Sequence, residues 1–223
     1  MELNCQSLTV REINRNVRRA VEDGEKELIL INPGAKHYLC AGLEGEVDIR
    51  LKGSVGYFAA TMMHGPRVVI EKNAGWFAAD NMTEGYMDVR GNSGDGTGQG
   101  IYGGKIVVRG NAGARTGELM KGGTIIIGGN SEFMTGLYMM GGSIIVLGDL
   151  GEMGGESIVR GTIYVRGNVK TLGKNARITE VDDDDQQWLE KVLADNDFPS
   201  ETVKFRKIIP VSKRFFYAPT EEG

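Results

Sequence analysis

The chain has little of what most catalytic machinery is built from. Its 223 residues include two cysteines, Cys5 and Cys40, and two histidines, His37 and His64. Two thiols fall far short of a disulfide scaffold or of a four-cysteine zinc or iron–sulfur site, so reduced cysteines are expected. The histidines stand in no HxH or HExxH arrangement, which leaves their expected roles in turns. Runs of 18 apolar residues are lacking, and the opening MELNCQSLTVREINRNV has no apolar core of the kind a secretory signal needs. The expectation is a cytoplasmic chain that does not use a membrane. Positive charge is also in deficit. A net charge of -4 and a pI near 5.4 argue against nucleic acid, whose binding draws on concentrated Lys and Arg.

Nucleophile and phosphate signatures are missing as well. Gly53-Ser54-Val55-Gly56 and Gly91-Asn92-Ser93-Gly94 do not make the GxSxG turn of an esterase. The run Gly91-Asn92-Ser93-Gly94-Asp95-Gly96-Thr97-Gly98-Gln99-Gly100 invites a phosphate-loop reading, but no helix pattern follows it and the Walker lysine is absent. Asp80, Glu84, Asp95, Glu118, Glu132, Asp149, Glu152 and Glu156 are scattered over turns, without the specific pair that a glycosidase on a β-helix face would require.

Glycine is what the chain has in excess, 34 residues, of which 29 lie between Gly45 and Gly167. Their placement is periodic. Gly85, Gly104, Gly123, Gly142 and Gly161 are nineteen residues apart, and Gly65 and Gly45 extend the series backward in steps of twenty. A period in this range marks stacked repeats. After each glycine comes a β-branched run, as in Lys105-Ile106-Val107-Val108 and Thr124-Ile125-Ile126-Ile127, suited to a short strand. A strand of four residues cannot bury its own face, so each repeat must lean on the next. Stacking at about 4.8 Å puts Met87, Ile106, Ile125, Ile144 and Ile163 in one interior column, and Val89, Val108, Ile127, Val146 and Val165 in a second. Ile101, Met120, Met139 and Ile158 make a third, read as a second strand per turn. The alternate positions Asp88, Val107, Ile126, Ile145 and Tyr164 face outward and are apolar enough to need a cover.

These readings give an all-β chain: a right-handed parallel β-helix of about seven coils, flanked by short helices and a C-terminal tail. Its expected units are an N-terminal helix-containing cap over 1–44, the glycine-rich β-helix over 45–170, and a C-terminal helix with an interface arm over 171–223. Thr9 to Glu22 reads as a helix with Thr9 and Glu12 in a capping box. Its apolar face carries Ile13, Val17, Ala20 and Val21; Arg11 and Arg15, with Arg18 and Arg19, make the other face basic and a candidate for an acidic partner. Gln186 to Leu193 reads as a short helix closing the open edge of the stack. Val203 to Tyr217 is basic and aromatic, and Phe215, Phe216 and Tyr217 are candidate anchors for a partner.

The repeated Gly-Gly starts at Gly103-Gly104, Gly122-Gly123 and Gly141-Gly142, with Gly53-Ser54-Val55-Gly56 and Asn111-Ala112-Gly113-Ala114, resemble the GXGXG domain at the C-terminal end of the glutamate synthase large subunit, over roughly residues 10–170. Similar stand-alone chains occur as the small subunit of N-methylglutamate synthase, and one of the subunits of formylmethanofuran dehydrogenase shares the pattern. The resemblance implies a non-catalytic β-helix that positions a glutamine amidotransferase-like subunit and an FMN-dependent synthase subunit. The FMN and iron–sulfur cluster would belong to those partners, and none to this chain. A homo-oligomer is also compatible. The alternative settings are a formylmethanofuran dehydrogenase complex, with its tungsten or molybdenum enzyme, and an independent hydrolase or ligand-binding β-helix.

The column reading carries its own test. Replacing Ile125 or Ile144 with Ala is expected to lower unfolding free energy by about 2–5 kcal/mol through lost packing and a residual cavity. Urea denaturation checks it; a change under about 1 kcal/mol would remove these residues from the interior.

Overall fold

In the computed structural model, which describes residues 1–199 and 204–212, the strands form one sheet of 11 in the order β1-β2-β3-β4-β5-β6-β7-β8-β9-β11-β10. The ladder from β1 (Glu2–Asn4) and β2 (Glu27–Ile31) through β3 (Asp48–Lys52), β4 (His64–Ile70), β5 (Glu84–Val89), β6 (Lys105–Val108), β7 (Thr124–Ile127), β8 (Met140–Val146) and β9 (Arg160–Val165) is parallel throughout. The architecture is a parallel β-helix of about seven turns with two short helices.

Register follows the repeat. Met87, Ile106, Ile125, Ile144 and Ile163 are direct partners from coil to coil. They and the column from Val89 to Val165 have no solvent exposure. Ile101, Met120, Met139 and Ile158 are equally buried. They form no strand of their own, however. The second line of pairing runs elsewhere, as single bridges through Ala74, Ser93, Ala112, Ser131, Leu150 and Val169. The Ile101 column instead lies at the bend that leads into each long strand.

The glycine column marks the tightest constraint. Gly45, Gly65, Gly85, Gly104, Gly123, Gly142 and Gly161 have φ between +76° and +111°. A Cβ added at Gly104 or Gly123 would lie 2.6 or 2.7 Å from the carbonyl oxygen of the glycine one coil earlier. Only a residue without a side chain satisfies the dihedral and the approach together.

Ahead of that column lies a rim of unusual backbone. In each coil three alternating residues are left-handed, as in Phe58, Ala60 and Met62 (φ 56°, 55° and 55°) and Gly96, Gly98 and Gly100 (φ 67°, 68° and 64°). Such angles cost roughly 1–3 kcal/mol at each non-glycine residue. Coil-to-coil hydrogen bonds offset the cost: the Phe58 amide donates to Trp76 O at 2.8 Å, Ala60 to Leu39 O at 2.8 Å, and Met62 to Asp80 O at 2.7 Å. Middle residues such as Ala60 turn inward, while neighbours such as Met62 project to solvent.

Both ends are closed by specific devices. Helix α1 (Val10–Glu22), with the Thr9–Glu12 capping box in place, buries Ile13, Val17 and Ala20 against the first coil. Asn14 supplies the contacts that a preceding coil would have made. Its Nδ2 donates to Tyr38 O at 2.7 Å, and its Oδ1 accepts from the Cys40 amide at 2.9 Å. At the far end β11 (Arg206–Pro210) enters antiparallel between β9 and β10 (Ala176–Thr179). Ile208, fully buried, takes the interior place after Ile163. The segment expected to be an interface arm thus contributes a strand to its own sheet.

Helix α2 (Asp183–Ala194) begins earlier than the sequence pattern suggested, because Asp182 and Asp185 form a capping box and the acidic run becomes its first turn. Nor does it close the edge. Leu189, Val192 and Leu193 lie on Val107, Ile126, Ile145 and Tyr164, so α2 is the cover of the apolar outward column.

Gly123→Ala is expected to cost more than about 3 kcal/mol, the sum of a strained φ and a backbone clash, whereas Gly24→Ala, at φ +91° with open space around it, should cost only about 1–2 kcal/mol. Equal urea midpoints for the two variants would show that the carbonyl approach does not restrict the column.

Candidate functional site

The features that looked chemical in the sequence are largely engaged in holding coils together. In the glycine-rich run the amides of Gly96, Gly98 and Gly100 donate to Ala114 O, Ala78 O and Glu118 O at 2.7–2.8 Å, and those of Ser93 and Gly94 to Asn111 O and Ala74 O. An anion would have to break the ladder to reach them, which removes the phosphate-cradle reading. His37 Nδ1 accepts from the Tyr57 amide at 2.8 Å, and its ring stacks on Tyr57. His64 Nδ1 is 2.9 Å from Thr83 Oγ1, with Nε2 3.6 Å from Glu84. Asp80 accepts from Thr61 and Asn81, Asp95 from the Ala114 amide, and Glu156 from Ser157 and the Lys174 amide.

Beside these runs a ladder that the sequence reading missed. Each side-chain oxygen of Ser54, Asn73, Asn92, Asn111, Asn130 and Asp149 accepts the amide of the residue nineteen positions on, at 2.6–3.3 Å. The signal was available in the residue after each second glycine. An open cleft of about 600 Å³ follows this ladder, bordered by Asn130, Glu132, Phe133 and a Lys170–Glu152 ion pair at 2.9 Å.

Two columns of aromatic rings, also at coil spacing, stand on the left-handed rim. His37, Tyr57 and Trp76 stack with centroids 4.6 and 4.8 Å apart, and Tyr38, Phe58 and Phe77 at 5.1 and 4.9 Å. The faces are spent on one another, leaving edges to solvent; Tyr38, Tyr57 and Trp76 remain 39–49% exposed. Above them Arg11, Arg15, Arg18 and Arg19 surround an exposed cleft on α1 of about 570 Å³. Arg11 and Arg15 are thus at the surface, as the basic face implied. Phe215, Phe216 and Tyr217 lie outside the described residues.

Neither thiol is placed for cofactor ligation. Cys5 and Cys40 are buried in the core beneath α1, and burial, with Cys5 adding to it, pushes the Cys40 thiol up to about 12. Among the described residues no group of three or more His, Cys, Asp or Glu could hold a metal ion, and no helix is long and apolar enough to cross a membrane. The residues present do not fit an iron–sulfur cluster.

The family model for the GXGXG motif matches residues 7–196. The chain belongs to the GXGXG motif family. A chain of the formyltransferase/hydrolase complex FhcABCD from Methylorubrum extorquens, whose crystal structure contains methylofuran, has the same fold at TM-score 0.74 and 21% identity. The match covers 92% of this chain and 89% of that one. No curated protein sequence matches. The family span takes in α1, the coils and α2, so the cover on the outward column lies inside the GXGXG match.

That cover is fastened at both ends. Near β5 the buried Asp88 accepts two hydrogen bonds from Arg109, at 2.9 and 3.2 Å, and Arg109 donates to Asn196 O while lying over the Phe198 ring. Near β9 the Tyr164 hydroxyl donates to Asp185 at 2.6 Å, and Lys207 binds Asp185 and Asp182. Burial pushes the Asp185 carboxyl up, but the bonds from Lys207 and Tyr164 outweigh it and hold it below the usual carboxylate range. A depressed carboxylate contributes stability above its ordinary range and loses it as pH falls through the lowered value. The β9 fastening should therefore open only below about pH 3.9. In a Trp76→Phe background, Trp188, whose ring is 5.6 Å from Tyr164, reports it. Its emission is expected to shift in acid, with Asp185→Asn already shifted at neutral pH; identical titrations would rule the fastening out.

Proposed function

We propose that the chain is a non-catalytic scaffold subunit of a multisubunit enzyme complex of the formyltransferase/hydrolase kind, holding catalytic partners at fixed positions. The observation that carries the reading is coverage. The matched chain of FhcABCD is a β-helix over nearly its whole length and works inside an assembly, rather than as one domain of a long catalytic polypeptide. This favours the formylmethanofuran dehydrogenase-like setting over the glutamate synthase-like one that the glycine motifs first suggested. The use of histidines and carboxylates as coil-to-coil acceptors supports a scaffold role in either setting.

A scaffold of this kind acts through geometry. Small displacements between reacting centres cost rate steeply, and a closely packed solenoid resists such displacement. The partners would carry any cofactor.

Native mass spectrometry of complexes gently isolated from the source cells, with each chain identified, tests the reading. Co-isolation with formyltransferase- and hydrolase-like chains is expected. Recovery with an amidotransferase-like chain and an FMN- and iron–sulfur-bearing chain would move it to the glutamate synthase setting. A monomer or a homo-oligomer alone would overturn the scaffold assignment.

A further inference from the structure

The N-terminal end of the solenoid presents two kinds of surface side by side. On α1, Arg11, Arg15 and Arg19 are spaced by four residues and share one exposed face. Among the described residues Arg19 has only a loose contact with Asp23, at 3.8 Å between highly exposed groups, while Arg18 is tied to Ala41 O at 2.8 Å. This concentration of positive charge occurs in a chain whose net charge is -4. Directly beneath, the Asn14–Tyr38 bond sets the first half of α1 over the start of the aromatic columns. Arg11 and Arg18, one turn before and after Asn14, lie on the side of α1 toward those columns.

The two surfaces are matched in scale. Three stacked coils raise the aromatic edges over about 10 Å. Arg11 to Arg19 spans about 12 Å of helix. Aromatic side chains and arginines are the residues that dominate binding energy at the centres of protein interfaces. Here both are already held: the rings by stacking, the helix by the Asn14 bonds and its buried face. Little ordering cost remains to be met on binding.

We propose that this end is the docking surface for an acidic segment of a partner subunit, with carboxylates about 6 Å apart along a helix pairing with Arg11, Arg15 and Arg19 and an apolar side chain lying against the Tyr57–Trp76 edges. The inference deepens the scaffold assignment and rests on it. A protein partner fits better than nucleic acid because Glu22 and Asp23 border the arginine cleft and would repel a phosphate backbone.

Two arms test it. In the first, the complex is assembled with wild-type chain or with Arg11→Glu/Arg15→Glu, a change on exposed positions with no packing role, and folding is checked by circular dichroism. The variant is expected to lose assembly at least tenfold, and hydrogen exchange in the wild-type complex should slow in residues 10–22, 36–38 and 56–58. Normal assembly of the variant, with protection elsewhere, would overturn the inference and leave the scaffold assignment standing. In the second arm, the isolated chain is titrated with a synthetic helical peptide bearing Glu at every fourth position and one Phe. Saturable binding, weakened at least tenfold by the double variant, is expected even if no enzyme complex is recovered. Absence of binding by wild type would overturn the inference, as would self-association of the chain through this face that disappears on charge reversal.

Discussion

The fold depends on returning the backbone to the same place every nineteen residues at a distance that admits no side chain. At Gly104 and Gly123 the neighbouring coil's carbonyl leaves less than 3 Å for a Cβ. Parallel hydrogen bonding needs that closeness on all sides of the coil, including the rim where alternate residues are left-handed. Once the spacing is set, the interior columns fall into register without further instruction. A branched residue at Ile106 finds Ile125 directly across, and the core is a stack of like on like.

That constraint also distributes the chemistry of the surface. Side chains able to accept hydrogen bonds are drawn into the ladder: the Ser54-to-Asp149 column, His37 and Asp95 all bond an amide in the next coil. What remains outside is contact surface. One flank is closed by α2, the last coil by β11, and the first by α1. The aromatic rim and the arginines above it are left facing outward.

Much of this could be read from the sequence, because the glycine period, the β-branched runs and the α1 capping pattern are all local signals with fixed offsets. The interior columns followed from arithmetic alone. Other features had no such signal. Phe58 and Met62 give no hint in isolation of left-handed backbone, which is imposed on them by hydrogen bonds to Trp76 and Asp80. The third apolar column looked like a strand because burial was legible and pairing was not. The α2 helix was assigned to the edge, and only the tertiary fit of Leu189 and Val192 on Ile126 and Ile145 places it on the flank. β11 could not be anticipated, since a non-local antiparallel insertion leaves no periodic trace. For the candidate site, Arg11 and Arg15 were legible as an exposed basic face, whereas the stacked rings beneath them were hidden by equal spacing among unlike residues.

The fastening of α2 at two points makes it a gauge of repeat number. Its 12 residues span about 18 Å, and the four coil steps from β5 to β9 span about 19 Å. A duplication of nineteen residues inside that window would separate Arg109 from Tyr164 by one more step, and α2 would need about three additional residues to keep hold of both. Outside the window, between β2 and β5, no element among the described residues spans the coils in this way. Lineages of this fold can therefore lengthen there freely, while the segment under α2 can change its coil count only in concert with the helix that measures it.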